Sequence, residues 1–374
     1  MNRVRYDPVL LPRIVIWTLL IGLLTISEAD PDLWGHVRFG LDLLRDRALP
    51  AGDPYSFTSD KPWINHEWLS ELAMGGAFAT AGAAGLVVLK MVLLLVALVA
   101  IRHECARRGA TALGGDAVVV LAALGSLALI RTIRPQAFSV ALFAPLLAAL
   151  GRAEDGRLQA LWIVPPIFAL WANLHGGWLV GVAVLGLWTA IQMLRSDGAE
   201  RWQWAAAGSL GLLATLVNPY GLRLWQFLQS TVGIDRADIS EWQPVLRLPP
   251  DVWVIWAVLA LLALASAWRE RPTWPRTAVV ILLAVLSFRV ARLVPFFAIA
   301  VTTLVLPTLA RPRRPAARPA VAEGAAAVAV LAVFLIAALG AVSVMTARGT
   351  CIDSTQPWAG DGAAVRALQQ AGAR

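Results

Sequence analysis

Residues 85–101 read GLVVLKMVLLLVALVAI, a run with one charge, Lys90. Residues 325–344, AAAVAVLAVFLIAALGAVSV, carry none. About twenty apolar residues cross the hydrocarbon of a bilayer, where the backbone must satisfy its own polar groups. That leaves a helix or a closed barrel. Barrel strands alternate apolar and polar residues, and these runs do not. The chain is therefore expected to be all-α, a polytopic helical membrane protein.

Composition agrees. Charged residues are 15% of 374 and hydrophobic residues 58%, where soluble domains carry about 25% charged. Eleven spans are expected, over 10–27, 84–102, 114–130, 135–150, 158–173, 178–194, 203–218, 252–268, 277–288, 293–309 and 324–346. They form one transmembrane unit, 1–346, with large loops at 28–68 and 219–250, followed by a tail at 347–374. The segment 69–80, LSELAMGGAFAT, is too short to cross before the AGAAG that follows it, so it reads as an interfacial or half-inserted helix.

Alternate loops then divide the charge. One side holds 17 of the 32 basic residues and 9 of the 24 acidic ones; the other holds 14 basic and 15 acidic, with Lys90 inside a span. Cytoplasmic loops collect Lys and Arg. The expected setting is thus a bacterial inner (plasma) membrane, with the N-terminus in the cytoplasm and the C-terminus periplasmic or extracellular. A cleaved signal ending near Ser27–Ala29 is the alternative for the first span and leaves ten. The net charge of +8 does not point to nucleic acid, because no contiguous basic face can be read. Cys105 and Cys351 fall on opposite sides, which excludes a disulfide between them.

The outer side collects the polar chemistry. Asp30, Asp32, His36, His66 and Glu67 lie in the first outer loop. Arg131 and Arg134 close the third span and open the fourth, and Asn173 and His175 follow the fifth. Tyr220, Glu241 and Trp242 belong to the second large loop, and Arg289 and Arg292 flank the turn between spans nine and ten. In the first loop, Asp30 and Pro31 read as a helix cap and first helical residue. Leu33, Val37, Leu41 and Leu44 then make an apolar stripe opposite Arg38, Asp42, Arg45 and Asp46, a surface-lying amphipathic helix. Asp32 and His36 are one turn apart and can meet. A turn at 53–57 leads to a second interfacial helix near Trp63–Trp68. Lys90 needs a partner or a watery cavity.

These elements resemble the GT-C superfamily of polyprenyl-phosphate-sugar-dependent glycosyltransferases. That superfamily has many spans, a large outer loop of two surface helices after the first span, and a catalytic acid just beyond that span. The Asp-Pro opening of the loop is similar to that of the catalytic subunit of oligosaccharyltransferase. The chain more closely resembles an uncharacterised bacterial membrane family with the motif Asp-Pro-Asp-Leu-Trp-Trp-His, which stands here as Asp30–His36 with Gly35 in place of the second Trp. That family's other motifs stand at Asp53–Phe57, His66–Leu69, Trp171–Gly177, Asn218–Gly221 and Glu241–Gln243.

The resemblance implies transfer of a sugar from a lipid-linked donor to a glycan, lipid or protein acceptor at the outer leaflet. Asp30 or Asp32, with His36, is then the catalytic group, acting as general base. Arg131, Arg134, Arg289 and Arg292 are the candidates for holding the leaving phosphate. His66, Glu67, Asn173, His175, Tyr220, Glu241 and Trp242 complete the substrate-binding set. A divalent cation, Mg or Mn, on Asp30, Asp32 and Glu67 is a further option. Two rivals stand beside this reading: a lipid or sugar transporter or flippase, to which Lys90 and the Gly176–Gly177 pair point, and a non-catalytic envelope assembly protein.

Overall fold

The structure is a computed structural model that describes residues 9–312 apart from 29, 57–62, 233–235 and 237, together with Gln370. The expected eleventh span, most of the tail and Cys351 lie outside the described residues. Among the described residues the chain is all-helical, and its one extended pairing is an isolated bridge between Glu28 and Thr132.

Helix falls on each of the first ten expected segments. In chain order these are α1 (Leu10–Thr25), α2 (Leu33–Asp46), α3 (Trp68–Arg107), α4 (Ala112–Gly125), α5 (Leu127–Arg131) and α6 (Gln136–Glu154). A 3-10 stretch, Leu158–Ile163, runs into α7 (Val164–Trp171). Then follow α8 (Trp178–Arg195), α9 (Gly198–Ala214), α10 (Leu222–Val232), α11 (Pro250–Glu270), α12 (Trp274–Arg289), α13 (Val294–Leu304) and α14 (Leu306–Leu309). Among the described residues four helices are long and apolar enough to cross a membrane, namely α3, α6, α8 and α11. Shorter apolar helices include α1, α4 and Leu158–Trp171. Helix α6 is apolar on every side and buried on nearly every side, as the centre of a bundle must be. Helix α13 packs against it, Phe296 edge-on to Phe143.

Ionic contacts sort the helix ends into two sets. At one end, Arg13 of α1 and Arg102 of α3 both bond Asp116 of α4 at 2.7 Å, and Arg276 of α12 and Arg107 of α3 meet Asp155 after α6 at 2.6 Å. At the other end, Lys90 is buried and bonds three oxygens: the Ile26 and Ile130 carbonyls at 2.6 Å and Ser27 Oγ at 2.7 Å. These partners include carbonyls at the C-terminal ends of α1 and α5, where a helix leaves its last carbonyls unpaired.

Helix α2 starts at Leu33, two residues after the expected Pro31, and its buried face is Leu33, Val37, Gly40 and Leu43. Leu44, expected on the apolar stripe, is exposed. The correction has a simple cause: a glycine adds nothing to an apolar stripe, yet Gly40 is where α2 touches α3 backbone to backbone. A Cβ on Gly40 would lie 1.9 Å from the Glu71 carbonyl oxygen, and one on Gly75 2.5 Å from the Gly40 carbonyl carbon. One turn earlier on each helix stand His36 and Glu71. Helix α3 breaks at Ala81 and at Gly82, whose φ of 58° suits glycine, so 68–80 is a separate arm, as its length implied.

Replacing Gly75 by Ala tests the contact. Helix propensity alone favours Ala by about 1 kcal/mol, but overpacking costs about 1–3 kcal/mol and the neighbour here is backbone. Thermal unfolding in detergent should show a net loss of stability; an unchanged or raised midpoint would mean that the two helices do not meet here.

Candidate functional site

The exits of α1 and α5 are tied together by Lys90 and by the Glu28 N–H donating to the Arg131 carbonyl at 2.6 Å. This tie sets Asp30, two residues on from Glu28, against Arg134, which lies in the short link between α5 and α6. Arg134 Nε donates to Asp30 Oδ2, while Asp30 Oδ1 accepts the Asp32 N–H at 3.1 Å. Arg134 Nη1 also donates to Glu241 Oε2, and Glu241 Oε1 accepts from Arg292 Nη1. Asp30, Arg134, Glu241 and Arg292 thus form one chain of alternating charge, drawn from four separated parts of the sequence. Trp242 lies beneath two cations, with Arg236 at 4.4 Å and Arg292 at 5.6 Å from the ring centre.

Beside this chain opens a cavity of about 170 Å³. Its walls are apolar, with Leu124, Leu127, Val252 and Ile255 contributed by α4, α5 and α11. Arg131, Arg134, Arg292 and Glu241 also line it. A guanidinium cluster at the edge of an apolar recess accommodates an anion carried on a greasy chain.

A second cluster centres on Glu67. His66 Nε2 and His175 Nε2 lie 3.5 and 3.6 Å from Glu67 Oε1, and His36 Nδ1 lies 3.8 Å from Oε2. His36 makes its closer contact, 3.1 Å, with Glu71 Oε1, and Asn65 Nδ2 donates to the other Glu71 oxygen. The Asn65 N–H in turn donates to the Tyr220 hydroxyl at 3.2 Å. Burial raises the Tyr220 phenol above its ordinary value.

The tautomer of His175 follows from its neighbours. Gly177 N–H donates to Nδ1 at 3.0 Å, and Ser139, which accepts from Trp171 Nε1 at 2.7 Å, directs its own proton to the same nitrogen at 2.7 Å. Nδ1 is an acceptor, so the proton sits on Nε2, facing Glu67. Burial first, then the positive charges of Arg292, His66, His36 and Arg134, push the His175 pKa well below the imidazole value of 6.5. Arg292 and Arg134 belong to the first cluster, so His175 lies within the field of the cavity's cations.

No protein-family model matches the chain. No curated protein matches it either.

Among the residues expected at the site, Asp30, Arg134, Glu241 and Arg292 meet directly, and so do His36, His66, Glu67 and His175. Arg131 lines the cavity and faces Glu28 at 3.5 Å. Three placements could not be read from residue order. His36 turns to Glu71 and Glu67 rather than bonding Asp32, because α3 crosses α2 on that face; Asp32 is exposed. Arg289 is exposed at the end of α12 and makes no ion pair with a described residue. Asn173 is a clamp: its Oδ1 accepts from Trp68 Nε1 at 2.9 Å, and its Nδ2 donates to the Val217 and Ala169 carbonyls.

Asp30, Asp32 and Glu67 also do not make a ligand set. One Asp30 oxygen faces Arg134, Glu67 faces imidazoles, and among the described residues no three His, Cys, Asp or Glu are grouped to hold a metal ion. Glu71, Asn65 and Ser139 were missed. Glu71 was legible, since it lies four residues after Glu67 and so on the same helix face; Ser139, an ordinary residue in an apolar run, carried no signal.

The half-buried His36 and the buried His175 titrate in opposite senses. Burial lowers the His36 pKa, but the Glu71 hydrogen bond and the Glu67 and Asp32 charges outweigh it, so the net shift is upward. Its stabilising contribution is complete below pH 6.5, the ordinary value, and is lost as pH rises through the raised one. His175, shifted down, contributes above 6.5 and its share is lost on acidification. Thermal midpoints of the wild type should fall on the alkaline side, and His36→Gln should remove that fall. An unchanged alkaline limb in His36→Gln would show that His36 is not the group responsible.

Proposed function

We propose that this protein is a membrane glycosyltransferase of the GT-C type, crossing the bacterial inner membrane about eleven times. It moves a sugar from a polyprenyl-phosphate donor to a glycan, lipid or protein acceptor at the outer leaflet. One observation carries the reading: an apolar recess edged by Arg131, Arg134 and Arg292, next to a buried carboxylate, Asp30, and a Glu67–histidine cluster. A lipid phosphate needs greasy walls and paired guanidiniums at once, and a hydroxyl acceptor needs a base beside them.

In the proposed step, Asp30 takes the acceptor's O–H proton and the freed oxygen attacks the anomeric carbon. The bond from that carbon to the phosphate oxygen breaks, and the phosphate leaves with the electron pair. The arginines stabilise the charge that grows there. Glu67 and its histidines hold the acceptor and pass the proton outward. Two of the features that point to a transporter have packing roles as well: Lys90 ties α1 to α5, and Gly177 packs against Ser139, with no room for a Cβ.

Native mass spectrometry of the purified protein tests the proposal. A polyprenyl-phosphate lipid should co-purify and be lost in Arg292→Ala. Finding only bulk phospholipid, in equal amounts in both proteins, would count against it.

A further inference from the structure

The proposed phosphate seat already holds an anion that belongs to the chain. Glu241 bridges Arg134 and Arg292, one carboxylate oxygen to each guanidinium, and all three residues line the cavity. Carboxylate and phosphate offer guanidinium the same two-pronged geometry, so Glu241 occupies the position a phosphate would take. Its situation differs from that of Asp30, the other carboxylate on Arg134. The Asp30 side chain is 5% exposed and is also held by the backbone of residue 32, whereas the Glu241 side chain is 26% exposed. Glu241 sits on one 3-10 turn, Ser240–Trp242. That turn is anchored beside it, through the Ala291 N–H donating to the Gln243 carbonyl at 3.0 Å and through Trp242 under Arg236. The backbone is held, and the carboxylate is at the open edge.

We propose that Glu241 is a placeholder anion that a phosphate group must displace to reach Arg134 and Arg292. This rests on the phosphate reading of the cavity given above. With no ligand bound, the placeholder gives the partly buried Arg292 its carboxylate and Arg134 a second one beside Asp30; removing the partner of a buried charge is costly. It also screens by charge: a neutral lipid or free sugar offers the arginines nothing in exchange for the carboxylate. On binding, Glu241 swings outward, and Arg134 becomes shared between phosphate and Asp30.

The sign of one substitution separates a placeholder from a strut. If Glu241 only orients the arginines, removing its charge weakens phosphate binding; if it occupies their seat, removal strengthens it. The full chain, purified in detergent, is titrated with farnesyl phosphate, inorganic phosphate and farnesol. Glu241→Gln and, as a second shape, Glu241→Ala should both bind farnesyl phosphate on the order of tenfold tighter, the worth of one charged hydrogen bond, with farnesol unchanged. A matching gain for inorganic phosphate assigns the seat to the head group alone, and a gain confined to farnesyl phosphate assigns it to lipid-borne phosphate; both support the placeholder. Equal or weaker binding in both variants overturns it and leaves the phosphate reading standing. Arg292→Ala binding as tightly as wild type sinks the phosphate reading itself, and absence of phosphate binding in wild type and Glu241→Gln alike sinks both.

Discussion

Asp30→Asn should cut sugar transfer by about 10²–10⁴-fold, the usual worth of a positioned base, while Asp32→Asn stays close to wild type. The two aspartates are one residue apart from being neighbours and are alike in type, so the difference is entirely one of position. Asp30 is 4% exposed and faces Arg134; Asp32 is exposed at the start of α2, and among the described residues its carboxylate bonds no member of either cluster. Asparagine keeps the shape of the side chain and its bond to the Asp32 N–H but cannot take a proton. Initial rates with a lipid-linked sugar, measured beside thermal midpoints, separate loss of chemistry from loss of fold. Equal activity in the two variants, or loss in Asp32→Asn alone, would remove Asp30 from the mechanism.

Arg134→Ala should be the most destabilising change at the site. It leaves two carboxylates, Asp30 and Glu241, without the cation between them. Removing one partner of a buried pair costs about 3–5 kcal/mol; the side chain here is 23% exposed, so the lower end, about 3 kcal/mol, is the better expectation. Adding Asp30→Asn to Arg134→Ala removes the orphaned charge and should recover part of the loss. Denaturant unfolding of both single variants and the double closes the cycle. Strict additivity, with no recovery in the double, would mean that the two side chains are not coupled.

The helical class and the place of each of the first ten segments could be read from residue order alone, because burial in hydrocarbon leaves a run such as 85–101 almost no choice but helix. The separate arm was equally plain: 69–80 is too short to cross and is followed by Ala81–Gly82, where the helix does break. Lys90 announced that it needed partners, but not which. The answer was the spare carbonyls of two helix ends, and spare carbonyls leave no mark in composition.

The site divides in the same way. Asp30, His36, His66, Glu67 and Glu241 were conspicuous because polar residues beside apolar runs are uncommon. Which of them touch was decided by tertiary structure. Asp32 and His36 share a helix face, yet His36 belongs to Glu71, since Gly40 and Gly75 let the two helix backbones meet and bring α3 against that face. Arg289 and Arg292 sit three residues apart, yet only the second turns inward to Glu241. Solvent preference acts residue by residue and is written along the chain; contact depends on how helices cross, which small residues permit and no single position records.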